Sequence, residues 1–162
     1  MAKKLLSGSN IVACLTTILS LIMLILYAVN VGGEGFYHGA NVDNFVLLSI
    51  LALVFSLLII GLSLAPVKGV AAKVVNIVVM VFKVLVPVFL FIVLLAFVAS
   101  RIEGFGYIYF ANADVAKEVQ TPANLASASG AITTIVFGAL AAITGVVGAF
   151  FLPKENKEAV AE

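Results

Sequence analysis

A lysine and a proline interrupt an apolar stretch near the middle of the chain, and both belong to a repeating pattern. In and just before VVNIVVMVFKVLVPVFLFIV (residues 74–93), polar or irregular residues recur at steps of three and four, which in an α-helix places them within about 80° of one face. The members of this stripe are Lys73, Asn76, Met80, Lys83 and Pro87. A fixed positive charge on such a face would attract anions or acidic lipid headgroups. Four of them form a candidate pore-lining or headgroup-binding face: Lys73, Asn76, Lys83 and Pro87.

Three interpretations of Lys83 remain open from the residues alone. The ammonium can snorkel, with its stem along the helix and its charge at the lipid phosphates. It can donate hydrogen bonds to carbonyl groups that lose their intrahelical partner at Pro87, although the carbonyl most directly affected is that of Lys83 itself. It can also face a wet cavity as a fixed charge. By rise per residue Lys83 lies about 15 Å deeper than Lys73, which approaches the middle of a bilayer.

Few residues in the sequence could catalyse a reaction or bind a metal ion. The chain has one cysteine, Cys14, and one histidine, His38, so it can form neither a Cys/His dyad nor a multi-histidine metal or haem site. Phosphate-binding loops and dinucleotide fingerprints are missing, and a net charge of +1 argues against nucleic acid. We therefore predict no enzyme activity, no catalytic residue, no cofactor, no metal site and no nucleic-acid partner.

Ion-coupled transport also lacks its usual residues. Proton or sodium coupling commonly relies on acidic groups at membrane depth. Every acidic residue lies outside the apolar runs: Glu34, Asp43, Glu103, Asp114, Glu118, Glu155, Glu158 and Glu162. The sequence therefore argues against a secondary transporter, and it offers Lys83 no acidic partner within a membrane helix.

The composition of the chain indicates that these residues belong to membrane-spanning helices. Hydrophobic residues make up 64% of the chain, charged residues 10%, and the mean hydropathy is +1.26, values typical of an integral membrane protein. Four apolar runs are long enough to cross a hydrocarbon core of about 30 Å. We predict an all-α, polytopic, antiparallel four-helix bundle in a single domain. Its helices cover about 9–31, 45–65, 70–100 and 122–152, with outer loops 32–44 and 101–121 and a tail at 153–162.

The basic residues predict the orientation. Most of them fall in the N-terminal segment, the second connection and the C-terminal tail: Lys3, Lys4, Lys68, Lys73, Lys154 and Lys157. The other two connections contain only Arg101 and Lys117. By the positive-inside rule both termini are expected to be cytoplasmic. A plasma membrane fits this arrangement, and a bacterial inner membrane is the expected case.

Small residues follow one face of the predicted fourth helix. Helices in lipid associate through such faces because burial of apolar surface does not drive them together there. The stripe consists of Ser127, Gly130, Thr134, Gly138, Ala141, Gly145 and Gly148, and a second row of Ala131, Ala139, Ala142 and Ala149 lies beside it. Two interpretations follow: the stripe seals the inside of one bundle, or it joins copies of the chain.

The second outer loop contains two further local patterns. Its aromatic cluster GFGYIYF is typical of an interfacial anchor, with Phe105, Tyr107, Tyr109 and Phe110 at the headgroup layer. Residues 112–120 predict a short capped helix, and Thr121 followed by Pro122 predicts the start of the fourth long helix. The short-then-longer order of the outer loops resembles tetraspan proteins, but the paired cysteines of tetraspanins and the Trp and Cys signature of claudins are absent. No family is indicated.

Two functional hypotheses follow from these patterns. The first is a non-catalytic membrane protein that associates through its small-residue faces as an assembly or accessory subunit. Its partners would be membrane lipids together with copies of itself or another membrane protein. The alternative is an oligomeric channel, or a protein that binds lipid or anions, with Lys83 facing a cavity.

Overall fold

The structure is a computed structural model that describes residues 7–151. Within them the chain is helical, without β-strands: α1 Gly8–Gly32, α2 Phe45–Leu64, α3 Gly69–Phe110, α4 Ala113–Val119 and α5 Pro122–Ala149. Four of these helices, α1, α2, α3 and α5, are long and apolar enough to cross a membrane. The predicted all-α class and its four spans are therefore confirmed. Predictions that concern the first six residues and the tail at 153–162 lie outside the described part.

Helix starts follow the local sequence signals. The Thr121 hydroxyl accepts a hydrogen bond from the Asn124 backbone N–H (3.2 Å) at the start of α5. Asn112 accepts one from the Val115 N–H (3.0 Å) and so caps α4. Both caps agree with the sequence, because a side-chain oxygen at this position satisfies an N–H that the helix itself leaves free.

α3 is the exceptional element, because it has 42 residues and is therefore about 63 Å long at 1.5 Å per residue. It passes through Pro87 without ending, and it continues to Phe110 where the sequence predicted an end near residue 100. Residues 101–110 are thus helical instead of forming part of the outer loop. The reason is tertiary, since this last segment buries Arg101, Gly104 and Ile108.

The four long helices pack in a ring, in which α1 contacts α2 and α5, and α3 contacts α2 and α5. Small residues of α5 permit its close approaches. A Cβ atom added at Gly138 would lie 3.1 Å from both Leu94 of α3 and Met23 of α1, and one at Gly148 would lie 3.4 Å from Val12. The small-residue stripe of α5 is therefore occupied by α1 and α3 of the same chain.

Polar and apolar side chains are distributed as in a membrane protein. The interior contains small hydroxyl residues, among them Thr16, Ser20, Ser49, Ser56 and Thr134, whereas large apolar side chains face outward along every long helix. Several of these hydroxyls donate to the carbonyl of the preceding turn, such as Ser20 to Thr16 (2.7 Å) and Thr134 to Gly130 (2.8 Å). This arrangement suits a lipid surround, in which the backbone cannot bond to water.

Candidate functional site

Lys83 lies inside the bundle, with only 5% of its surface exposed. Its ammonium donates to the Ser9 hydroxyl (2.8 Å), at the start of α1, and to the carbonyl of Phe151, just beyond the end of α5. A cation is favoured there because the last carbonyls of a helix have no partner within the helix and carry partial negative charge. The side chain thus spans the bundle interior instead of lying along a lipid-facing surface, as snorkelling would require.

Beside the ammonium is a half-open cavity of about 20 Å³. All four long helices contribute to its wall, which consists of Ser9, Ala13, Thr16, Ser56, Ile59, Lys83, Val86, Gly145 and Gly148. Gly145 and Gly148 form the α5 side of this wall. The Ser56 hydroxyl is fully buried and has no hydrogen-bond partner among the described residues. We call this group of residues the Lys83 cavity.

The other members of the predicted stripe do not join Lys83 in one site. Lys73 is exposed, Asn76 is half-buried and Met80 is exposed. Pro87 is buried against α5, where a Cβ atom at Gly145 would lie 3.3 Å from the Pro87 Cβ. The stripe exists as a helix face, but only its deeper members reach the bundle interior.

A second buried cation, Arg101, lies near the opposite end of the bundle and is 1% exposed. Its Nη2 donates to the Ala40 carbonyl (2.8 Å) in the connection between α1 and α2. The guanidinium also lies over two aromatic rings, 4.6 Å from the Tyr37 centroid and 4.7 Å from the Phe97 centroid. Cation–π contacts of this kind are strongest where water is excluded. We call Arg101 with Tyr37, Ala40 and Phe97 the Arg101 clamp.

Tyr37 bonds the connection between α1 and α2 to α3 and α5. Its hydroxyl donates to the Arg101 carbonyl (2.8 Å), and its backbone N–H donates to the Ser127 hydroxyl of α5 (3.2 Å). Burial raises the pKa of Tyr37 to about 12, although the nearby Arg101 charge works in the opposite direction. From α1, the Asn30 side chain donates to the Ser127 carbonyl (2.7 Å). The connection is thereby bonded to α3 and α5 at once.

The sequence did not predict the Arg101 clamp. Arg101 was counted only as a charge in an outer loop, whereas the structure places it within α3 under the first connection. The bonded residues Tyr37 and Arg101 are 64 positions apart, so no local spacing indicates their contact. The predicted aromatic anchors lie in the same last segment of α3. Phe105 is half-buried beside the Tyr37 ring, and Tyr107, Tyr109 and Phe110 are exposed.

An apolar groove of about 430 Å³ opens on the outer surface between α3 and α5. Its wall consists of Val84, Pro87, Val88, Phe91, Ile92, Leu95, Val146, Ala149 and Phe150. The α3 residues recur at steps of three and four, as expected for one face of a helix. We call this surface the lateral groove.

Four long apolar helices with small and polar residues inside define the class as a multi-pass integral membrane protein. Comparisons with protein-family models, with curated proteins and with solved structures found no match. Within residues 7–151, no group of three His, Cys, Asp or Glu side chains is arranged to hold a metal ion.

Proposed function

We propose that this chain is a non-catalytic subunit of a membrane assembly, in which the lateral groove receives a transmembrane helix of another chain. Its four long helices would cross the bilayer in antiparallel order with both termini cytoplasmic. Contacts between α1 and α5 support the antiparallel order, since Val12 lies beside Gly148 and Asn30 lies beside Gly130. The positive-inside rule supports the orientation.

The lateral groove is the observation that carries the accessory role. The small-residue stripe of α5 already packs on α1 and α3, so an association with a second chain needs a different surface. The groove is open and apolar, and from Val84 to Leu95 it extends along α3 for three turns, about 16 Å. Helices in membranes associate by close packing of shape-matched surfaces, which a groove of this length supplies.

Photocrosslinking in native membranes tests this role. A photoreactive phenylalanine replaces Leu95 in the groove, and in a separate control variant it replaces Ile25 on the outer face of α1, which is 54% exposed. The two positions lie at a similar level, because Met23 and Leu94 both contact Gly138. We expect a discrete protein adduct from position 95 and only lipid adducts from position 25. Lipid adducts alone at both positions would refute the accessory role.

The orientation is tested with the same protein in intact cells. Cys14 is first replaced by serine, and single cysteines are then introduced at Lys117 in α4 or at Lys68 in the connection between α2 and α3. A membrane-impermeant maleimide is expected to label position 117 in intact cells and position 68 only after the membrane is opened. The reverse pattern would invert the proposed topology.

The alternative function, a channel or a lipid- or anion-binding protein, is favoured by one observation, the cavity beside Lys83. A cavity of about 20 Å³ within one chain supports binding of a small species more directly than conduction, which needs a continuous path. Proteoliposome flux measurements separate the two. Anion flux that disappears with Lys83→Leu supports a channel, and an absence of flux in the wild type excludes it.

A further inference from the structure

We infer that the Lys83 cavity binds one monovalent inorganic anion of about the size of chloride. This inference deepens the alternative function and is independent of the accessory role. It depends on three observations: the donors that face the cavity, the charge around it, and its size.

The cavity wall supplies hydrogen-bond donors. A lysine ammonium has three N–H groups, and Lys83 uses two of them on Ser9 and Phe151. The Ser9 hydroxyl accepts from Lys83, which leaves its own proton available. The Ser56 hydroxyl is 1% exposed and lacks a partner among residues 7–151. Three residues with a free donor, from three helices, therefore line one small space, and the inferred anion would accept from them.

The local charge also favours an anion. The described carboxylates, Glu34, Asp43, Glu103, Asp114 and Glu118, belong to the connections and helix ends on the Arg101 side of the bundle. The end of α5 compensates part of the Lys83 charge, but a helix C-terminus carries only about half an elementary charge. Among residues 7–151 a net positive charge therefore remains at a largely apolar site, where a counter-ion is favoured.

The size of the cavity decides between classes of anion. A water molecule needs about 10–15 Å³ of such space, so about 20 Å³ accommodates one particle of similar or slightly larger size. A halide ion fits this description. A phosphate group, with five heavy atoms, exceeds this volume, so a lipid headgroup would remain at the open side of the cavity. The cavity lies at the end of the bundle where α1 begins and α5 ends, because Ser9 and Phe151 bond to Lys83 there.

Chloride-dependent stability of the full-length protein in neutral-lipid nanodiscs tests the inference. Thermal unfolding is followed by circular dichroism in sodium chloride, sodium bromide and sodium gluconate at equal ionic strength. At ten times the dissociation constant, a single bound anion shifts the unfolding equilibrium about elevenfold. We expect a saturable rise in Tm with chloride and bromide and no rise with gluconate. Broadening of the ³⁵Cl resonance by the protein, reversed by excess bromide, gives a second readout that does not depend on unfolding.

Three variants separate a specific site from a general salt effect. Ser56→Ala removes one donor to a charged ligand, and we expect it to raise the dissociation constant at least about tenfold. Ser63→Ala is the matched control on the same helix, because the Ser63 hydroxyl donates to the carbonyl of Ile59 (2.6 Å) and does not line the cavity. Lys83→Met is expected to abolish the chloride effect.

Several outcomes would overturn the inference. Equal Tm values in chloride and gluconate for the wild type mean that the cavity holds water alone. An equal chloride effect in Ser56→Ala, Ser63→Ala and wild type means that the salt acts elsewhere. If Tm rises with the content of anionic phospholipid and not with chloride, lipid headgroups and not a bound halide neutralise the Lys83 charge. None of these results bears on the crosslinking at Leu95, which tests the accessory role independently.

Discussion

Gly104 of α3 makes a direct test of the Arg101 clamp, because a methyl group added there would collide with Tyr37. The new Cβ atom would lie 2.5 Å from the Tyr37 hydroxyl oxygen and 2.6 Å from its Cε1 atom. The ring is 2% exposed and lies against the Arg101 guanidinium and the Phe105 ring, so it has little room to retreat. Its displacement would also break the hydrogen bond to the Arg101 carbonyl.

The size of the effect follows from two losses. Overpacking a well-packed site costs about 1–3 kcal/mol, and the lost hydrogen bond adds about 0.5–1.5 kcal/mol. Alanine in place of glycine within a helix returns about 1 kcal/mol. Gly106→Ala provides the matched control, since a Cβ atom there meets nothing within 4 Å. The propensity gain is common to both variants, so Gly104→Ala is expected to be about 1.5–4.5 kcal/mol less stable than Gly106→Ala.

The measurement is reversible unfolding in mixed micelles, followed by circular dichroism as the fraction of denaturing detergent increases. Each glycine variant is also combined with Tyr37→Ala, which removes the ring that the methyl group meets. We expect the difference between the two alanine variants to shrink in this background, because contacting residues couple. If Gly104→Ala is as stable as Gly106→Ala with Tyr37 present, the close packing of Tyr37 on Gly104 is wrong.

Three further predictions concern Lys83, Tyr37 and the stripe of α5. Lys83→Met is expected to lower stability by about 1–3 kcal/mol because it leaves a helix-end carbonyl without its donor. The control Lys73→Met, at an exposed position, should change stability by less than about 0.5 kcal/mol. Thermal unfolding in micelles compares the two variants. Burial raises the pKa of Tyr37 from 10.0 to about 12, so the folded protein retains a proton that the unfolded chain releases. Stability should therefore fall as pH rises from 10.0 to about 12, and Tyr37→Phe should remove this decline. Gly138→Leu should force α5 from its neighbours and cost about 1–3 kcal/mol or more. Gly61→Leu, where a Cβ atom meets nothing within 4 Å, should leave stability unchanged or raise it by up to about 1 kcal/mol through helix propensity. Unfolding in the same mixed micelles compares the two variants.

The spans and caps were predictable because their causes are local. A run of apolar residues inserts whatever the rest of the chain does, so the beginnings of α2 and α5 coincide with the predicted ones. The caps at Asn112 and Thr121 depend on residues three positions away. The end of α3 was predicted too early because a charged residue, Arg101, normally marks the end of a membrane span. Its burial depends on Tyr37, which no local pattern associates with it.

The two cations show why the candidate sites were only partly predictable. Periodicity correctly places Lys73 and Lys83 on one face of α3, but it contains no information on how far neighbouring helices extend along that face. In the structure α1 begins and α5 ends beside Lys83, so Lys83 has bonded partners while Lys73 is exposed. The cavity likewise requires Ser56 of α2 and the glycines of α5 to meet, which only the packed bundle achieves.

The position of Lys83 relative to the bilayer can be argued from energies. Between Lys73 and Lys83, α3 contains four large apolar residues that are 40–57% exposed: Val74, Ile77, Met80 and Val81. Leaving them in water would cost about 3–6 kcal/mol in total, at about 1.5–3 kcal/mol for a full side chain. A lysine in the hydrocarbon costs about 2.5–3.5 kcal/mol. The apolar cost is on average the larger of the two, so the hydrocarbon is expected to extend past Lys83 as far as Val74, with the exposed Lys73 at its boundary. The ammonium then has no access to bulk water along the helix. Its charge therefore has to be stabilised inside the bundle, by the Ser9 hydroxyl, by the end of α5 and by the occupant of the Lys83 cavity.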